Sequence, residues 1–190
     1  MRRSLQDERD FGYFCLETRQ AGLRNHALDA HQMIKYGKMR ILMVCLGNIC
    51  RSPLAEGIMR EKVRESGLDI AVDSAGTAAY HVGEPPDERS QEVAKKHGID
   101  ISGQRARQFE VSDFDHFDKI YVMDSQNYEN VMSMAENSTE SDKVDLILNE
   151  IYPGENRPVP DPYYGGRDGF QRVYDMLEAS CNEVIEKARG

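Results

Sequence analysis

Cys45 and Arg51 stand with five residues between them, Leu46-Gly47-Asn48-Ile49-Cys50, and Ser52-Pro53 follows directly. A thiol at the end of a strand and a guanidinium at the mouth of a helix can act on one small anion. The five intervening backbone N–H groups can curl into a nest around a tetrahedral oxyanion, and a helix amino terminus adds its positive end. Arg51 can take two oxygens of that anion bidentately, a geometry lysine does not offer. The same field favours the anionic form of a thiol, which makes Cys45 a candidate nucleophile. Gly47 permits the turn, and Asn48 tolerates the left-handed backbone such a nest needs. The plainer alternative is a buried thiol beside an arginine that opens a helix.

Phosphate has the right shape for this nest. If the phosphate is esterified to a phenol, the leaving group has a pKa of about 10 and departs poorly as an anion, so an acid is required. The candidate is Asp161, in Pro158-Val159-Pro160-Asp161-Pro162-Tyr163-Tyr164-Gly165-Gly166. Prolines on both sides stiffen its backbone. An Asp-Pro pair read alone is also an ordinary turn. Here two tyrosines and two glycines follow, which suit an aromatic wall with room to move.

These groups need a frame, and the pattern from Arg40 onward supplies one. Ile41-Leu42-Met43-Val44 reads as a strand buried on both faces. Pro53 fits an early helical position, and Ala55, Ile58, Met59, Lys62 and Val63 recur at helical spacing until Gly67. Ile70-Ala71-Val72 reads as a second strand. Pro85-Pro86-Asp87 opens a helix that runs to His97 and is closed by Gly98. Lys119–Met123 and Val144–Leu148 read as the third and fourth strands, with a helix starting near Ser125 between them. Phe170, Val173, Leu177, Cys181, Val184 and Ala188 share one face of a final helix. This alternation predicts an α/β fold of three layers, a four-stranded parallel sheet with helices on both faces. Ligands in such sheets bind beyond the carboxyl ends of the strands, where strand order reverses.

Composition narrows the partners. Residues 1–39 carry seven Lys/Arg and five Asp/Glu, a balance of +2, while residues 40–190 carry 17 and 28, a balance of −11, so the acidity lies in the second part. A surface that acidic repels nucleic acid, and any anionic substrate must be held by local donors. No apolar run reaches the roughly 20 residues that span a bilayer, and the residues after Met1 are not those of a secretory signal, so a cytoplasmic location is expected without membrane or nucleic-acid partners. The four cysteines, Cys15, Cys45, Cys50 and Cys181, are few and irregularly spaced, as free thiols in a reducing compartment would be. No histidine or cysteine spacing suits a metal, and none is expected. Residues 1–39 lack sustained periodicity and read as a non-domain extension, either a regulatory tail or a stretch ahead of a true start at Met39. Residues 40–190 form the domain.

Several segments together resemble the low-molecular-weight protein tyrosine phosphatase family. They are Val44-Cys45-Leu46-Gly47-Asn48-Ile49-Cys50-Arg51-Ser52-Pro53, Asp73-Ser74-Ala75-Gly76-Thr77, His97-Gly98-Ile99, Met123-Asp124 and Asp161-Pro162-Tyr163-Tyr164-Gly165. The resemblance covers residues 40–190 and implies a flavodoxin-like sheet and no cofactor. It implies a phosphatase acting on phosphotyrosine-containing proteins and releasing phosphate ion. Cys45 would be the nucleophile, Arg51 the phosphate clamp and Asp161 the general acid. Leu46, Gly47, Asn48, Ile49 and Cys50 would form the phosphate loop, and Ser52 would hydrogen-bond the Cys45 thiolate. Ser74 and His97 fall where the family supports the Asn48 side chain, although a histidine at a helix end also suits the carbonyl dipoles there.

Leu46, Ile49, Tyr80, Tyr163 and Tyr164 resemble the apolar walls that receive a phenyl ring, and packing is an equal reading for Tyr80. Related bacterial arginine phosphatases carry threonine in place of Ile49 and differ after Asp-Pro, so Ile49 and Tyr163 favour phosphotyrosine. Arsenate reductases share the first motif but need a further cysteine pair, and a silent phosphotyrosine-binding module would lack Cys45 or Asp161. Cys50 stands where the family uses a reversible oxidation guard; the alternative is a small loop residue.

Overall fold

A computed structural model describes residues 38–164 and 166–190. The expected extension lies outside the described residues except for Lys38 and Met39. Strand β1 (Met39–Cys45) starts one residue inside that stretch, and its apolar run is fully buried, as expected of a central strand. It pairs in parallel with β2 (Ile70–Gly76) on one side and β3 (Lys119–Val122) on the other, and β4 (Val144–Leu146) pairs in parallel with β3. The order is β2-β1-β3-β4. The chain leaves β1 for one neighbour and later returns to the other side of it, so strand order reverses at the carboxyl end of β1, where Cys45 sits.

The two faces of the sheet part cleanly. Ile41 and Met43 of β1, Tyr121 of β3 and the following Met123 face one core with α1 (Arg51–Ser66), α2 (Glu88–Lys96) and α6 (Gly166–Arg189). Leu42 and Val44 face a second core with Ile120, Val122, Phe114 of the one-turn α3 (Asp113–His116) and Val131 of α4 (Ser125–Met132). This is the period-two alternation of a strand, and the three-layer α/β architecture follows.

Local signals set most boundaries. Gly67 closes α1 at φ 69°, donating its N–H to the Val63 carbonyl. Asp87, not the prolines before it, is the N-cap of α2, its carboxylate accepting from the Arg89 N–H. Asp124 caps α4 in the same way through Asn127 N–H. The fourth strand is shorter than expected, because Ile147–Glu150 turns into a 3-10 helix. A one-turn α5 (Ser138–Ser141) precedes it. On α6 the predicted apolar face is buried through Val184, with Ile185 beside it, whereas Ala188 is exposed.

Gly76 ends β2 directly beneath the loop after β1. A Cβ there would lie 2.8 Å from the Leu46 carbonyl oxygen and 3.1 Å from Asn48 N, both backbone atoms. Gly76→Ala should therefore lower unfolding stability by about 1–3 kcal/mol, as forced overpacking does, and displace the loop. Urea denaturation checks the first effect, and loss of phosphate protection against Cys45 alkylation checks the second.

Candidate active site

Residues 46–50 run between β1 and α1, and their conformation is fixed from outside. The Cys45 carbonyl accepts from Thr77 N, Leu46 from Ala78 N, Ile49 from Asp87 N and Cys50 from the Ser90 hydroxyl. Among the described residues the peptide bonds are trans. The N–H following each of these carbonyls points the opposite way, so those of Leu46, Gly47, Cys50 and Arg51 turn away from the anchors, toward the inside of the loop. Asn48 supplies the needed kink at φ 54°, and its N–H lies 3.3 Å from Cys45 Sγ.

The Asn48 side chain is buried and fully used. Its Nδ2 donates to Ser52 Oγ at 2.9 Å and Ser74 Oγ at 2.8 Å, while its Oδ1 accepts from Arg107 N at 2.9 Å. Ser52 Oγ in turn lies 3.0 Å from Cys45 Sγ. Ser52 and Ser74 are thus brought to the loop as expected. His97 is not: it caps α2 on the surface, stacks on Tyr174 at 3.8 Å between ring centroids and lies 3.0 Å from Gln171 Nε2. The resemblance gave His97 a loop-supporting position; the backbone N–H of Arg107 does that work for Asn48.

Arg51 opens α1 with a buried guanidinium. Its Nη1 donates to Asp124 Oδ2 at 2.6 Å and to the Val159 carbonyl at 3.2 Å, and Nη2 lies 3.4 Å from Asp161 Oδ2. Burial works against its charge, but Cys45 and then Asp124 outweigh it, and the Arg51 pKa lies above the usual value. Asp161 is partly exposed at the cleft edge, with Oδ1 accepting from Tyr163 N at 3.0 Å. Arg89 holds the same loop: it donates to the Tyr163 carbonyl at 3.0 Å and lies 5.1 Å from the Tyr163 ring centre and 4.6 Å from that of Phe170.

Cys45, Leu46, Gly47, Ile49, Cys50, Arg51, Tyr80, Asp161 and Tyr163 line one cleft, together with His81. Leu46, Tyr80 and Tyr163 form an exposed rim, Tyr80 being 79% exposed, so its packing reading falls away. The Tyr164 side chain lies outside the described residues. Cys50 is buried, and its thiol pKa is pushed up to about 12, first by desolvation and then by the nearby Asp87 and Cys45.

Sequence reasoning missed four contributors. Asp124 could have been found, since it follows β3 at the carboxyl edge of the sheet. His81, Arg89 and Arg107 carry no local signal, because each reaches the site through tertiary contacts.

The geometry agrees with comparisons to known proteins. A family model described as low molecular weight phosphotyrosine protein phosphatase matches residues 40–189. The low molecular weight phosphotyrosine protein phosphatase of Schizosaccharomyces pombe is 45% identical over 142 residues, 73% of this chain and 90% of that protein. The crystal structure of YfkJ from Bacillus subtilis matches with a TM-score of 0.75 at 37% identity, covering 82% of this chain and 97% of that one. That of a Drosophila arginine phosphatase matches at 0.74 and 33% identity, covering 80% and 99%. With the cysteine loop, its buried asparagine and the clamped arginine all on the matched segment, the chain belongs to the low molecular weight phosphotyrosine protein phosphatase family.

Proposed function

We propose that the protein hydrolyses phosphotyrosine in proteins through a thiophosphate on Cys45. The observation that carries this reading is the convergence of Cys45, Arg51 and Asp161 on one cleft, behind a loop whose N–H groups turn inward. The Cys45 thiolate attacks phosphorus in line, the phosphorus–phenol oxygen bond breaks, and the Asp161 carboxyl gives its proton to the departing oxygen. Asp161 then takes a proton from water as that water attacks phosphorus, and Cys45 leaves as thiolate with release of phosphate. The loop N–H groups and Arg51 stabilise the equatorial oxygens throughout, which is the largest catalytic contribution in this reading. Asp124 holds one edge of the guanidinium in place while Nη2 faces the cleft.

Leu46, Ile49, Tyr80 and Tyr163 form apolar walls above Cys45, suited to a phenyl ring that reaches the thiol; a phosphoserine is too short to do so. Arginine phosphatase is the second reading, since one matched structure carries that name, and Ile49 and Tyr163 argue for the aryl ester. Arsenate reduction is disfavoured because Cys181 is fully buried in α6. The described cysteines, Cys45, Cys50 and Cys181, are all free thiols, which supports a cytoplasmic site of action; among the described residues no helix is long and apolar enough to cross a membrane.

Cys50 fits a redox guard. Peroxide oxidises the Cys45 thiolate to a sulfenic acid, and the Cys50 sulfur attacks it with loss of water to give a disulfide that external thiols reduce. Oxidation of Cys45 also removes one of the charges that hold the Cys50 proton.

Turnover of p-nitrophenyl phosphate, a phosphotyrosine peptide and phosphoarginine tests the assignment. The phosphotyrosine peptide should be preferred over phosphoarginine, Asp161→Asn should slow aryl ester hydrolysis by roughly 10²–10⁴-fold, and Cys45→Ser should abolish it; preference for phosphoarginine would move the assignment to the second reading. Burial pushes the thiols of both Cys50 and Cys181 up to about 12, and since thiolate fraction rises with pH both stay protonated at pH 8. Mass mapping after iodoacetamide at that pH should find neither labelled. After peroxide, dithiothreitol should restore activity to the parent and not to Cys50→Ala.

A further inference from the structure

Behind the loop, Asn48 gives one N–H to Ser52 and the other to Ser74. Both serines therefore accept from Asn48, and each keeps a single proton to donate. For Ser74 the acceptor is Glu56 Oε2 at 2.5 Å; for Ser52 it is Cys45 Sγ at 3.0 Å, nearer than the Ala75 carbonyl at 3.3 Å. Glu56 sits in the second turn of α1, after the end of β1 and the whole loop, yet it closes the far end of this chain. The carboxylate is 3% exposed, and its other oxygen meets Arg60, whose guanidinium is tied to the Val72 carbonyl.

We infer that Glu56 is a positioning residue for Cys45: as an ionised acceptor of the Ser74 proton it anchors the far end of the Ser74–Asn48–Ser52 chain, so that the last hydroxyl is held pointing at the sulfur. The Arg107 N–H on Asn48 Oδ1 keeps the amide from reversing; without Glu56 the Ser74 hydroxyl is free to turn, Asn48 loses its steady acceptor there, and its hold on Ser52 slackens. The groups that face Glu56 are Arg60 from its own helix, Ser74 and Asp73 from β2, and Arg107 from the loop before α3. Burial raises its pKa, and Ser74, Arg60 and Arg107 oppose that rise. The inference rests on the reading of Cys45 as nucleophile.

The test measures the pH dependence of Cys45 alkylation by iodoacetate, with kcat/KM for p-nitrophenyl phosphate, in the parent, Glu56→Gln, Ser74→Ala and the double variant. Glu56→Gln should slow alkylation at pH 6 and lower kcat/KM by about tenfold each, the scale of one hydrogen bond to a charged group. Its alkylation profile should move to higher pH, and the double variant should be no worse than Ser74→Ala alone. A parent-like profile in Glu56→Gln, or effects that multiply in the double variant, overturns the inference. If Glu56→Gln does not fold, Ser74→Ala decides: an unmoved profile there overturns it equally. Turnover that survives Cys45→Ser would instead overturn the nucleophile reading, leaving a separate signature.

Discussion

The site depends on one buried amide. Asn48 occupies a left-handed backbone position that most residues avoid, and its side chain spends both N–H groups and its oxygen on three different segments: the start of α1, strand β2 and the loop at Arg107. A buried polar group left without such partners costs about 1–3 kcal/mol, so each partner restrains the others. Because the loop cannot relax without leaving a polar atom unsatisfied, its inward N–H groups are held before any anion arrives. This is preorganisation in the electrostatic sense.

The sheet makes that arrangement possible. Parallel strands of order β2-β1-β3-β4 put the end of β1 at the reversal of strand order, flanked by β2, which brings Ser74 and Gly76, and by β3, after which Asp124 reaches Arg51. Gly76 matters for what it lacks, since any side chain would enter the backbone of the loop above it. On the far side, Val159 N–H bonds the Met123 carbonyl, which docks the segment carrying Asp161 to the same sheet edge.

Much of this was legible in the residues themselves. The apolar run at Ile41–Val44, the glycine after α1 and Asp87 at the start of α2 each act within a few residues, so their effect on structure is local. The pairing of thiol and guanidinium across five residues also speaks locally, because strand, loop and helix are contiguous there. His97 shows the limit: a polar residue at a helix end has several equally good surface partners, and Tyr174 and Gln171 on α6 took it. Arg107 and Arg89 were silent for the same reason in reverse, since their contacts with Asn48 and Tyr163 join positions 59 and 74 residues apart.

Both halves of the chemistry hang from the first turn of α2. Asp87 N–H holds the Ile49 carbonyl, and the Asp87 carboxylate holds Arg89, which holds the Tyr163 carbonyl. The distance between the thiol and the carboxyl is thereby gauged against a single helix end, as two jaws of a vice are set by one screw. A shift of that one turn would therefore carry the Ile49 carbonyl and the Tyr163 carbonyl with it together.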